Sequence, residues 1–88
     1  MYEIKKYSID RAKKLSVKLL PSDKSNYKID VYDSKNNYIT SIGDKRYSDY
    51  PTYIQTHGLE YANKRKILYH ARHKNEGFRG FYSKNILW

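Results

Sequence analysis

The stretch YKIDVYDSKNNYITSI, residues 27–42, decides the fold. Tyr27, Ile29 and Val31 alternate with Lys28, Asp30 and Tyr32, and a period of two is the signature of a strand with one apolar face. Tyr38-Ile39-Thr40-Ser41-Ile42 is rich in β-branched residues, which fit a pleated surface. Between the two runs lies Asp33-Ser34-Lys35-Asn36-Asn37, a cluster that favours a turn and tolerates positive φ. The pattern predicts a β-hairpin of roughly 27–32 and 38–42, closed by Gly43-Asp44.

Upstream, residues 1–26 form an N-terminal arm with two readings. Ser8 is placed to cap a helix running to about Leu20, with Ile9, Ala12, Leu15 and Leu19 near helical spacing. Ser16-Val17-Lys18-Leu19 instead alternates like a strand. An irregular or strand-like arm is the preferred expectation. Pro21 ends either element, because proline continues neither a helix nor a ladder.

Downstream, residues 44–57 read as a connector in which Tyr47, Tyr50 and Tyr53 recur every three residues. Such rings either stack on bases or pin the connector to the hairpin, and the second reading is preferred. A basic helix follows from about Gly58 to His73, capped by Thr56. Leu59, Ala62 and Tyr69 share one arc of it, and Ile67, Leu68 and Ala71 another, so the apolar surface is wide. Asn75-Glu76-Gly77 ends the helix. Phe78, Phe81, Tyr82, Ile86, Leu87 and Trp88 then make an aromatic hook, with Gly80 allowing a tight bend and Ser83 to Leu87 room for one helical turn. Phe81, Tyr82, Leu87 and Trp88 are its expected structural anchors. The expected fold is α+β: a small single domain, 1–88, with the hairpin of 27–43 packed on one main basic helix, and the helix and hook together in 58–88.

Composition narrows the function. Eighty-eight residues make one domain, and a chain this short has a thin stability margin, so a partner is expected. There is no cysteine, hence no disulfide and no thiolate site. Eighteen Lys and Arg face nine Asp and Glu, a net charge of +9. Residues 1–44 hold nine basic and six acidic side chains, but residues 45–88 hold nine and three, so the surplus is larger in the second half. Such a field favours nucleic acid, an acidic protein or an anionic surface. Eleven of fourteen aromatic residues are tyrosine, a residue suited to half-buried sites and interfaces. No apolar run is long enough to cross a membrane, and the first ten residues lack the apolar core of a signal peptide.

Chemistry finds few footholds. His70 and His73 stand at i, i+3, but a zinc site needs more ligands, and His57 is the only other histidine. No metal or cofactor is expected. The four glycines lack phosphate-loop spacing, and no nucleophile elbow appears. Asp44, Asp49 and Glu60 fit turn and cap roles better than acid–base work, so no enzyme activity is expected. What remains is a candidate nucleic-acid interface: Lys64, Arg65, Lys66, Arg72, Lys74, Arg79 and Lys84, with Tyr69 among the interleaved rings.

One resemblance covers roughly residues 38–88. Its pattern is Ile42-Gly43, then Tyr47-Ser48-Asp49-Tyr50, Lys64-Arg65-Lys66 before Tyr69, Arg72-His73-Lys74-Asn75-Glu76, Gly80-Phe81-Tyr82-Ser83-Lys84 and Ile86-Leu87-Trp88. This half resembles a group of small, basic, functionally uncharacterised proteins encoded by large DNA viruses. It departs from them at Phe81-Tyr82, where Phe-Trp is more usual, in a short loop before Gly80, and in ending at Trp88. The resemblance implies a viral origin and a virion component. With the basic surplus, the leading expectation is a viral structural protein, a minor virion or capsid-associated subunit with a basic face available to contact the packaged genome. The alternative is a small nucleic-acid-binding regulator of the infected cell. The expected partners are other virion proteins, further copies of the chain, or nucleic acid. The expected location is the virion or the host cytoplasm or nucleus.

Overall fold

The computed structural model describes residues 2–73 and 77–88. Its elements are α1 (Lys6–Lys14), β1 (Val17–Pro21), β2 (Tyr27–Asp33), β3 (Tyr38–Asp44), α2 (Tyr50–His57), α3 (Leu59–Arg72) and α4 (Gly77–Ile86). The strands form one antiparallel sheet in the order β1-β2-β3. The α+β class stands, and the hairpin is present with Ile29 opposite Ile42 and Val31 opposite Thr40.

Asp33 makes the hairpin turn. Its carboxylate accepts the backbone N–H groups of Lys35 and Asn37 at 2.8 and 2.9 Å, while Asn36 takes the left-handed conformation at φ 67°. Asparagine reaches that region more readily than most residues. A register shift between Val31 and Tyr32 then brings Tyr32 opposite Tyr38.

The arm is neither irregular nor a single element. Residues 6–14 are helical and residues 17–21 are a strand paired with β2, Leu19 opposite Val31. Ser16 separates them at φ 58°, a backbone state that a helix cannot continue through. The helical and the alternating signals were therefore both real and lay end to end. Ser8 is not a cap: it lies inside α1, fully buried, and its hydroxyl donates to the Ile86 carbonyl at 2.9 Å.

The connector contains a helix. Asp49 caps α2 by accepting the Thr52 N–H at 3.0 Å, and Pro51 occupies the first turn, where a missing N–H costs nothing. Thr56 does not cap α3; its hydroxyl donates back to the Thr52 carbonyl at 3.0 Å within α2. Gly58, at φ 89°, makes the corner between α2 and α3. The hook is likewise a ten-residue helix, and Gly80 sits inside it rather than at a bend. The expected helix end at Asn75-Glu76 lies outside the described residues.

The core joins Ile29, Val31 and Ile42 from the sheet to Tyr50, Ala62, Ile86, Leu87 and Trp88. The last carbonyls of a helix have no partner within it. Here other elements supply them. Arg11 donates through Nε to the Asn85 carbonyl, Ser8 to Ile86, and the Tyr50 N–H to Leu87 at 3.0 Å. His70 Nε2 meets a Trp88 main-chain oxygen at 3.3 Å. Four consecutive residues are thus held by α1, α2 and α3.

Candidate nucleic-acid interface

β2 carries the least expected feature. Lys28 and Asp30 alternate with the apolar Ile29 and Val31, yet both are buried, at 7% and 5% exposure. The Lys28 ammonium lies 3.0 Å from the Asp49 carboxylate and also donates to the Tyr47 carbonyl. Asp49 is 1% exposed, and its carboxylate further accepts the Tyr2 hydroxyl at 2.8 Å and the Thr52 N–H. Burial first, and the Asp49 charge second, push the Tyr2 phenol well above its ordinary pKa, so it stays a donor. Asp30 accepts Ser41 Oγ at 2.6 Å. Burial raises the Asp30 carboxyl, but hydrogen bonds from Ser41 and Ser22 and the Lys24 cation outweigh it, and its pKa ends below the ordinary value.

The Lys28–Asp49 pair lies at the wall of a cleft of about 560 Å3. The hairpin end contributes Gly43 and Asp44, the following turn Tyr47 and Ser48, and α2 Tyr53. Arg65, Tyr69, Arg72 and His73 come from α3 and its end, and Ser83, Leu87 and Trp88 from α4 and beyond. Gly43 is required here: it sits at φ 80°, and a Cβ would come within 2.8 Å of Leu87 Cδ1.

The rings in the cleft are mostly engaged with one another. Trp88 stacks on Tyr69 at 4.4 Å and 5°, and His73 stacks on Tyr69 at 4.2 Å and 22°. Both Trp88 and His73 thus cover the Tyr69 ring. Tyr53 packs against Trp88 at 6.1 Å and carries the Arg65 guanidinium 5.6 Å above its ring. Tyr50 is in the core, beside Tyr7 at 5.1 Å. Only Tyr47 of the connector tyrosines presents its ring, at 66% exposure, with Arg46 over it at 5.5 Å. Asp44 holds that arginine at 2.8 Å, and the Arg46 side-chain and backbone hydrogen bonds lower the Asp44 carboxyl to about 2.

The basic run does not act as one patch. Successive residues of a helix point about 100° apart. Arg65 turns into the cleft, Lys66 lies over the Tyr50 ring at 4.7 Å, and Lys64 is exposed beside Glu60 at 4.0 Å. Arg72, two turns beyond Arg65, returns to the cleft. Arg79 lies over the Tyr27 ring at 4.9 Å, away from the cleft lining, and Lys84 is half-buried. Lys74 lies outside the described residues. Of the expected cations, the structure brings together Arg65 and Arg72. Among the described residues the buried Arg65 Nε has no hydrogen-bond partner and Arg72 forms no salt bridge.

Among the expected anchors, Leu87 and Trp88 are buried and Tyr82 packs against the core. Phe81 is not an anchor: at 50% exposure it stands off the core, because α4 turns it about 100° from Tyr82. Lys28, Ser48 and Ser83 were missed as cleft residues, and an alternating lysine such as Lys28 reads as solvent-facing. Tyr47 was expected to pin the connector rather than stack, and its ring is instead exposed. Among the described residues no group of three His, Cys, Asp or Glu is arranged to hold a metal, and no helix is long and apolar enough to cross a membrane. His57 instead stacks on Tyr61 at 4.5 Å. Compared with known proteins, the chain matches no family model, no curated protein and no solved structure.

Proposed function

We propose that the chain is a nucleic-acid-facing subunit of a viral particle, holding phosphates of the packaged genome through Arg65 and Arg72. The observation that carries the contact is the pair of guanidiniums at one cleft without carboxylate partners among the described residues. A buried donor without an acceptor is costly, and a phosphate oxygen is the acceptor that fits a guanidinium best. The net charge of +9 over the whole chain would draw a polyanion to the protein. The particle setting rests on the resemblance of residues 38–88, and a regulator in the infected cell would use the same contact.

A salt titration of a labelled oligonucleotide tests the contact. The log–log slope should fall by about 1.4 on a single strand, or 1.8 on duplex, when Arg65 and Arg72 both become Gln. Lys13→Gln with Lys14→Gln, an equal charge loss on the exposed side of α1, should change it less. Equal losses would mean a diffuse field and no site. Absence of binding near physiological salt would point the cleft at an acidic protein neighbour instead. Mass spectrometry of purified particles separates the settings: stoichiometric presence supports the subunit, and absence supports the regulator.

A further inference from the structure

The cleft is a concave site with one cationic side and one open ring, rather than a flat basic face. Its volume of about 560 Å3 lies within the roughly 300–1,000 Å3 usual for small-molecule sites. Arg65 and Arg72 stand two turns apart on α3, about 10.5 Å along the axis, a gap that two long side chains can close from either end. Ser48 and Ser83 add hydroxyls to the lining. Tyr69, Trp88 and Tyr53 are each packed against other rings: Tyr69 against Trp88 and His73, and Tyr53 against Trp88, Tyr61 and His57.

Tyr47 differs. Its ring is exposed while its backbone is fixed: the buried Lys28 ammonium donates to its carbonyl, and its N–H donates to the Asp44 carbonyl at 3.1 Å. Arg46, held by Asp44, lies over the ring. A ring held this way at the mouth of a cationic cleft is a preorganised stacking surface, because little order is lost when a flat ligand arrives.

From this geometry we infer that the cleft binds one phosphorylated nucleoside unit, its phosphate on Arg65 and Arg72 and its base on Tyr47. This rests on the phosphate contact proposed above and adds the base. A paired base has both faces in the duplex stack and has none to give Tyr47. An unpaired base does. The cleft therefore favours a single strand, or a free nucleotide, over duplex.

The test uses the full chain and four ligands: a dT12 strand, an abasic strand of the same length, a 12-base-pair duplex and AMP. At one salt concentration dT12 should bind more tightly than the abasic strand or the duplex. Tyr47→Ala should weaken dT12 by about ten-fold, the scale of one base–aromatic stack, with the salt slope unchanged. The same change should leave the abasic strand untouched, and Tyr47→Phe should restore dT12. Because Tyr47 is mostly exposed, the melting temperature should hold. AMP binding that needs Tyr47, Arg65 and Arg72, with no gain in dT12, assigns the unit to a free nucleotide. Tighter binding of dT12 than of AMP assigns it to a strand. If Tyr47→Ala leaves dT12 binding intact while the double arginine variant still lowers the slope, the base contact is wrong and the phosphate contact survives. If wild type binds none of the four, both are wrong.

Discussion

Removing the charge from Asp49 should unbalance the molecule more than its place as the N-cap of α2 would indicate. Asp49→Asn keeps the volume and the α2 cap, since Asn is as good an N-cap as Asp. It leaves the Lys28 ammonium buried, at 8% side-chain exposure, with a carbonyl but no counter-charge. Breaking a buried pair from one side costs about 3–5 kcal/mol. A domain of 88 residues has about 4–13 kcal/mol of stability in all, so the variant should be close to unfolding. Lys28→Met should cost less, about 2–3 kcal/mol, because Tyr2 and Thr52 still donate to the remaining carboxylate. The double variant buries neither charge and should be within about 2 kcal/mol of wild type. The cycle should thus give a coupling of about 3 kcal/mol or more, measured by urea unfolding followed through Trp88 fluorescence and far-ultraviolet circular dichroism. Single losses that add to within about 0.5 kcal/mol, or an Asp49→Asn loss below about 1 kcal/mol, would refute the reasoning: the pair would then be hydrated and the wall of the cleft wet.

Trp88→Ala should cost about 3–5 kcal/mol, since it removes a buried ring stacked on Tyr69; an unchanged melting temperature would contradict this. Gly43→Ala should destabilise by more than about 1 kcal/mol through its positive φ and the contact with Leu87, and a companion Leu87→Ala should relieve the contact but not the backbone strain. Acid should lower the stability of the protein in a defined window. The Asp44 carboxyl is lowered from 3.8 to about 2 by Arg46, and those of Asp30 and Asp33 are also lowered. Groups with depressed folded pKa values bind fewer protons folded than unfolded, so their contribution is complete above about pH 4 and is lost towards pH 2. Melting temperatures should therefore fall steadily from pH 4 to pH 2, less steeply for Asp44→Asn, and a flat profile there would contradict the assignment.

Local signals were legible wherever a short stretch determines its own structure. The hairpin followed from alternation and from Asp33 and Asn36, which make a turn using only their neighbours. The main helix was legible from its spacing, to within a residue or two of Leu59–Arg72. The arm was harder, because its helical and strand signals share one window and are divided at Ser16 by a single left-handed residue. Helix α2 was hidden by three tyrosines that read as a connector, although Asp49 before Pro51 was a visible start signal.

The site depended on what the chain brings together. Composition and order alone determined that the protein is basic, single-domain and α+β, that the larger part of its positive surplus lies in residues 45–88, and that no cysteine chemistry is open to it. They could not determine which cations face the same space. Lys64, Arg65 and Lys66 are adjacent in the chain but diverge around a helix, while Arg65 and Arg72, seven residues apart, converge. Lys28 obeys strand alternation and yet is buried, because Asp49, 21 residues on, is delivered to it by the start of α2. Which rings are spent in packing and which is left open, Tyr69 against Tyr47, was settled only when Trp88 was placed on Tyr69. Periodicity reports the direction of a side chain relative to its own element. Burial, pairing and ring exposure depend on what other elements put opposite it, and that is a property of the assembled fold alone.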